Sequence, residues 1–281
     1  FVLFVLPVIG FILYLFLGRT VSKKKMEKNN GDELHAFEDL VQDQIDSFDK
    51  HNYGYINDQV IKHRDLIRML LMKQDAFLTE NNKIDLFTDG HKLYEKVLED
   101  IYNAQDYIHL EYYTFELDGL GKRILDALET KLKEGLEVKL LYDDVGSKKV
   151  RLSKFKHFRA LGGEVEAFFP SKVPLINFRM NNRNHRKIII IDGQIGYVGG
   201  FNVGDDYLGL GKLGYWRDTH TRVQGECIDA LQLRFILDWN SQSHRPQFKF
   251  DQKYFPKKNG DKGNAAIQIA SSGPAFDLHQ I

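Results

Sequence analysis

The chain has 281 residues, of which 43% are hydrophobic, enough for one large core or two small ones. Its 39 lysines and arginines balance 39 aspartates and glutamates, so no global positive field argues for a nucleic-acid partner. The single cysteine, Cys227, excludes an internal disulfide framework and suits a reducing compartment.

Residues 1–18 carry no charge. At about 1.5 Å per residue a helix of that length crosses roughly 27 Å, close to a bilayer core, so a transmembrane helix is predicted. The basic start and small-residue cleavage site of a signal peptide are missing from it. Arg19, Lys23, Lys24, Lys25 and Lys28 follow, marking a cytoplasmic flank that attracts anionic headgroups. Residues 19–85 read as a membrane-proximal linker and a helical region, with a helix near 59–77.

Beyond the Asp89-Gly90 break, Leu93, Val97, Leu98 and Ile101 recur at helical spacing, and residues 107–115 read as an aromatic-rich strand. A helix over 120–133, stopped by Gly135, precedes a strand over 136–142; a helix over 154–161 and a strand over 164–169 continue the alternation. Four isoleucines, Ile188 to Ile191, form a buried strand, and 195–198 return as its partner after an Asp192-Gly193 turn. Residues 229–239 suit a helix packed on the sheet. The pattern predicts an α/β domain with a mixed, largely parallel sheet flanked by helices, spanning 86–264. Over 244–264, Phe248, Phe250, Tyr254 and Phe255 interleave with lysines, as a solvated loop with tucked aromatics or, second, a membrane contact. Residues 265–270 read as a new strand, so 265–281 look like the start of a second domain.

The chemistry concentrates in Asn184-His-Arg-Lys-Ile-Ile-Ile-Ile-Asp-Gly193 and Gly199-Gly-Phe-Asn202. Side chains on a strand alternate faces, so His185 and Lys187 point the same way while Asp192 points the other. An imidazole and an ammonium held side by side suit a phosphodiester: a nucleophile or acid, and a fixed cation on the non-bridging oxygens. The glycine pair permits close backbone approach to a ligand, and Asn202 offers a neutral polar contact. A lone histidine beside a strand is usually a packing residue, but the spacing to Lys187, Asp192 and the glycines overrides that reading. For Asp192, strand parity predicts a turn anchor.

This pattern, H-x-K-x-x-x-x-D followed by G-G-x-N, resembles the HKD signature of the phospholipase D superfamily. Leu110-Glu-Tyr-Tyr113, Leu141-Tyr-Asp-Asp-Val-Gly-Ser147, Trp216-Arg-Asp218 and Ile267-Gln-Ile-Ala-Ser-Ser-Gly-Pro274 extend the resemblance to the bacterial cardiolipin synthases of that superfamily. The resemblance implies metal-independent, cofactor-free phosphatidyl transfer between two phosphatidylglycerols through a phosphohistidine, at the cell membrane with the catalytic domain in the cytoplasm. It implies a catalytic set of His185, Lys187 and Asp192, phosphate contacts from Lys187 and Asn202, and Asp218 as the carboxylate orienting His185; an ordinary ion pair is an equal reading of Asp218. Glu111, Tyr113 and Asp143 are expected at strand ends near the site, as core or supporting residues. Family members carry two HKD motifs and this sequence shows one, so the partners implied are anionic membrane lipid and a second HKD half. A phospholipase D-type hydrolase, a nuclease completed by dimerisation, and an inactive half-enzyme are the alternatives, with nucleic acid disfavoured by the balanced charge.

Overall fold

The computed structural model describes residues 32–50, 58–170, 183–212, 214–242, 248, 251–259 and 263–271, together with residue 8. Helices α1 (Asp32–Asp49), α2 (Asp58–Ile61) and α3 (Arg64–Gln74) lead into strand β1 (Leu78–Asp89) and helix α4 (Gly90–Asn103). Two strand–helix–strand units follow: β2 (Tyr107–Tyr112), α5 (Gly119–Lys133), β3 (Glu137–Asp143), α6 (Lys156–Ala160) and β4 (Glu164–Phe168). Then come β5 (Lys187–Ile191), β6 (Ile195–Gly199), β7 (Arg217–Gln224), helix α7 (Cys227–Gln242) and β8 (Ala265–Gln268). Helix starts are set locally, since Asp89 accepts from the Lys92 amide to cap α4 and Asp118 accepts from the Gly121 amide to cap α5.

The eight strands make one sheet in the order β4-β3-β2-β5-β6-β7-β1-β8. The isoleucine strand β5 lies inside it and is buried on both faces. Ile189 and Ile191 join a core with Leu93, Val97 and Ile124 from α4 and α5, while Ile188 and Ile190 join one with Leu231, Phe235 and Trp239 from α7. Each such side chain contributes about 1.5–3 kcal/mol, so this strand fixes the middle of the domain.

The largely parallel sheet expected from the alternation is corrected. Among the described residues only β2 with β3 and β3 with β4 pair in parallel as strands; the other five pairings are antiparallel. The reason is connection length, because helices α5 and α6 allow parallel return whereas the tight turn at Asp192-Gly193 forces β6 back along β5.

Two strands lack an apolar signature in sequence. β7, Arg-Asp-Thr-His-Thr-Arg-Val-Gln, pairs with β6 on one side and β1 on the other, and β1 is bulged near Asn81, whose φ is +60°. The domain boundary expected at residue 86 falls inside β1, and β8 extends the same sheet by pairing with β1. Within the region expected as linker and helix, α1 begins at Asp32, and the helix expected over 59–77 is divided into α2 and α3.

Among the described residues no helix is long and apolar enough to cross a membrane. The charge-free run 1–18 and the basic cluster after it lie outside the described residues, residue 8 apart. In the aromatic and lysine stretch, Phe248 and Tyr254 are buried, edge to face at 4.6 Å, over the His109 ring. Lys253 pairs with Glu137 and Lys258 with Asp229, so these described residues of the stretch are tied to the domain; Phe250 lies outside the described residues.

Candidate active site

The backbone entering β5 is held from both sides. Asn184, 2% exposed, donates from its amide nitrogen to Glu111 at the end of β2 and from its backbone N–H to Asp143 at the end of β3, 3.1 Å away. Asp143 also accepts from the amides of Val145 and Gly146 at 2.9 Å and pairs with Arg183. On the other side of His185, the Arg186 carbonyl accepts from the Tyr113 amide at 3.0 Å, and the Arg186 guanidinium meets Asp238 of α7 at 3.0 Å. His185 therefore sits between two anchored neighbours just before an interior strand begins, exposed to solvent.

Lys187 opens β5 opposite Tyr112 and is buried. Its Nζ lies 3.0 Å from His185 Nδ1 and donates to the His185 carbonyl at 2.7 Å. The Tyr113 ring completes the cluster, 4.4 Å from the imidazole and 5.3 Å from the ammonium. Burial pushes the Lys187 pKa down to about 8, with Asp218 opposing. Desolvation and then the Lys187 charge lower that of His185, while Asp143 pulls it back. At neutral pH this gives a neutral imidazole beside a cation, the protonation states that nucleophilic attack on a phosphodiester requires.

The remaining candidate residues are placed differently. Asp192 stands at the far end of the five-residue strand, roughly 17 Å along it from Lys187. Its carboxylate accepts from the amides of Gln105, Asp106 and Tyr107 at 2.8–3.0 Å, and its φ is +52°, so it ties the β5–β6 turn to the start of β2 and does not reach His185. The buried Asn202 uses its amide oxygen on the Thr114 N–H at 3.1 Å and its amide nitrogen on the Tyr207 hydroxyl at 2.6 Å, leaving one N–H for another acceptor. Asp218 forms no hydrogen bond or ion pair with His185 among the described residues. Its carboxylate accepts from the Thr219 amide at 2.7 Å and influences Lys187 and His220 through its charge.

The glycine pair makes room for protein, where close approach of a ligand was expected. A Cβ at Gly199 would lie 2.4 Å from the His220 Cα, and one at Gly200 would lie 2.0 Å from an Asp218 oxygen. His220, which sequence reasoning did not single out, is 1% exposed with neither ring nitrogen hydrogen-bonded among the described residues, and burial drives its pKa down to about 3. The signal available was the alternate spacing of Asp218, His220 and Arg222, which puts the three on one face of a strand.

Comparison with known proteins fits this geometry. Residues 97–211 match the family described as "Cardiolipin synthase, PLD-like domain". This stretch belongs to the phospholipase D-like domain family. Over all 281 residues the chain is 99% identical to cardiolipin synthase 1 of Staphylococcus epidermidis strain RP62A and 75% identical to cardiolipin synthase 1 of Staphylococcus aureus strain MRSA252. It is 51% identical to cardiolipin synthase 2 of the former organism. The chain spans 57% of the length of each of these relatives.

Proposed function

We propose that this chain supplies one half of a cardiolipin-forming phosphatidyltransferase. The observation that carries the reading is the Lys187 ammonium set 3.0 Å from the His185 imidazole on a clamped strand end. The 99% identity to a protein named cardiolipin synthase 1 supports the substrate.

In the reaction, a histidine attacks the phosphorus of one phosphatidylglycerol and the P–O bond to glycerol breaks, the departing alkoxide taking its proton from a second histidine. That second imidazole then removes a proton from the hydroxyl of another phosphatidylglycerol, whose oxygen displaces the first histidine from phosphorus. Cardiolipin and glycerol leave, and both imidazoles return to their starting states. His185 is one of the two; the other comes from a second HKD half, within the longer polypeptide or from a partner. Lys187 neutralises the phosphate oxygens, the free Asn202 N–H adds a contact, and Asp218 tunes the pair through its charge on Lys187. One phosphodiester of a primary alcohol is exchanged for another, so the step runs near equilibrium without ATP, and the site must favour a lipid hydroxyl over water. A membrane helix over 1–18 with its basic flank would hold the domain at a cytoplasmic anionic surface and raise the local lipid concentration.

The test is chromatography of lipid products from a protein of the relatives' full length, supplied with phosphatidylglycerol and a chelator. Cardiolipin and glycerol are expected, with both lost in His185→Ala at unchanged folding. Phosphatidic acid in place of cardiolipin would make the protein a hydrolase and overturn the reading.

A further inference from the structure

The proposed reaction leaves His220 without a role, yet the sheet sets it in line with Lys187. Tyr112 lies opposite Lys187, Ile188 opposite Val198, and Gly199 opposite His220, whose other neighbour is Phe87. That register carries a row across the sheet, Tyr112, Lys187, Gly199, His220 and Phe87, on the face covered by α4 and α5. Lys187 and His220 stand two strand spacings apart, roughly 10 Å, and the residue between them has no side chain. His220 uses that room. A Cβ at Gly199 would lie 2.6 Å from the Cγ of His220, so the base of the imidazole fills the gap on the side facing Lys187.

The His220 ring is 1% exposed, and neither nitrogen has a hydrogen-bond partner among the described residues. A leucine or methionine would fill the same space without burying two polar atoms, so the imidazole costs stability that packing alone does not require. Burial keeps the ring neutral, and a neutral imidazole offers one acceptor nitrogen.

Lys187 has use for such an acceptor. Its buried ammonium carries three N–H donors and no lone pair. One donor goes to the His185 carbonyl at 2.7 Å and one to the His185 ring at 3.0 Å. While the ring nitrogen accepts from the ammonium its lone pair is engaged, so it can neither attack phosphorus nor take a proton from a hydroxyl. Either role of His185 therefore requires the ammonium to leave the ring. In the reacting state the carbonyl keeps one donor and the phosphate takes another, which leaves the third for a buried acceptor. Tyr112, on one side of Lys187, turns its hydroxyl toward Tyr94 of α4. A carboxylate such as Asp218 would cancel the charge that the phosphate requires, whereas a neutral ring holds the ammonium and leaves its charge intact.

We propose that His220 is a positioning residue for the transfer: across Gly199, its free nitrogen accepts from the Lys187 ammonium as phosphate binds, so that His185 regains its lone pair. The inference rests on the reading of His185 and Lys187 as a phosphodiester site.

The test compares steady-state consumption of phosphatidylglycerol in mixed micelles by a protein of the relatives' full length. His220→Leu and His220→Met remove the acceptor and keep the space filled, while His220→Asn and His220→Gln set an amide oxygen near the positions of Nδ1 and Nε2. Both apolar variants are expected to lose roughly ten- to hundred-fold in kcat at nearly unchanged KM, and to unfold in urea at or above the parent's midpoint. At least one amide variant is expected to keep kcat within about three-fold of the parent. Full kcat in a folded apolar variant would overturn the proposal. So would an equal loss in all four folded variants, because shape and not an acceptor would then matter, or a loss carried by KM alone, because His220 would then bind the lipid itself. Product identity is read separately. Phosphatidic acid in place of cardiolipin removes the transferase reading, while the order of the variants still decides the role of His220, since hydrolysis needs the same free lone pair.

Discussion

The Nζ of Lys187 stands 3.0 Å from Nδ1 and 3.4 Å from Nε2 of His185, so two groups that both accept protons in water share one small space. Only one of them holds a charge at neutral pH. Burial sets Lys187 near pKa 8 and keeps His185 below its ordinary value. On the proposed reading phosphate binding needs the ammonium, so cardiolipin formation by a protein of the relatives' full length should decline as pH rises through about 8. Lys187→Arg, whose guanidinium stays charged, should remove that alkaline limb while lowering kcat, because a planar fork does not fit where an ammonium does. An unchanged limb in the variant would assign it to another group. The readout is the rate of cardiolipin formation between pH 6 and 10.

Asp192→Ala should act on stability. Loss of the carboxylate strands three backbone amides, and alanine at φ +52° is strained, so a cost of about 2–3 kcal/mol is expected. Asparagine tolerates that conformation and keeps an acceptor, so Asp192→Asn should cost less. Urea unfolding of both variants checks the order; a stable Asp192→Ala protein with lost turnover would return the residue to the catalytic set.

The buried Glu111 discriminates charge from shape. Its pKa is raised, first by desolvation and then by Asp238, while Arg186 and Arg234 hold Asp238 ionised against its own desolvation. A neutral Glu111 accepts from Asn184 and donates toward Asp238, and a glutamine does the same. Glu111→Gln should therefore fold and react almost normally. Glu111→Ala should lower kcat more than it raises KM, because Asn184 then no longer fixes His185. Steady-state kinetics on mixed micelles separates the two; a severe loss in Glu111→Gln would show that the charge matters.

His220 gives a pH dependence of stability with a definite sign. Its folded pKa of about 3 lies below the ordinary 6.5, so between those values the unfolded chain binds a proton that the folded chain excludes. Stability from this group is full above about pH 6.5 and is lost as pH falls toward 3, to a total on the order of 5 kcal/mol. His220→Asn should flatten the difference in unfolding free energy between pH 7 and pH 4.5. Parallel slopes for the two proteins would contradict a buried neutral imidazole.

Residues whose partners lie close in sequence were legible. The isoleucine strand, the Asp192-Gly193 turn and helices α4, α5 and α7 follow from hydrophobic period and local turn chemistry, and the H-x-K spacing alone placed His185 and Lys187 together. β1 and β7 were not legible, because a strand with few apolar residues is made by the ladders on either side of it. Sheet direction was misjudged for a related reason: alternation of helix and strand reports parallel units, and says nothing about which edge the next strand joins.

By itself, then, the sequence determined the chemical pair and the strand that carries it, since two side chains two residues apart on an extended backbone must share a face. Only the tertiary structure decided what surrounds them. Asn184, clamped by Glu111 and Asp143 from two other strands, fixes the backbone next to the histidine; Gly199 and Gly200 yield space to His220 and Asp218; and burial at the start of an interior strand takes Lys187 down to about 8. Those contacts join residues 18 to more than 70 positions apart, and no local period encodes a distance set by how the whole sheet closes around β5.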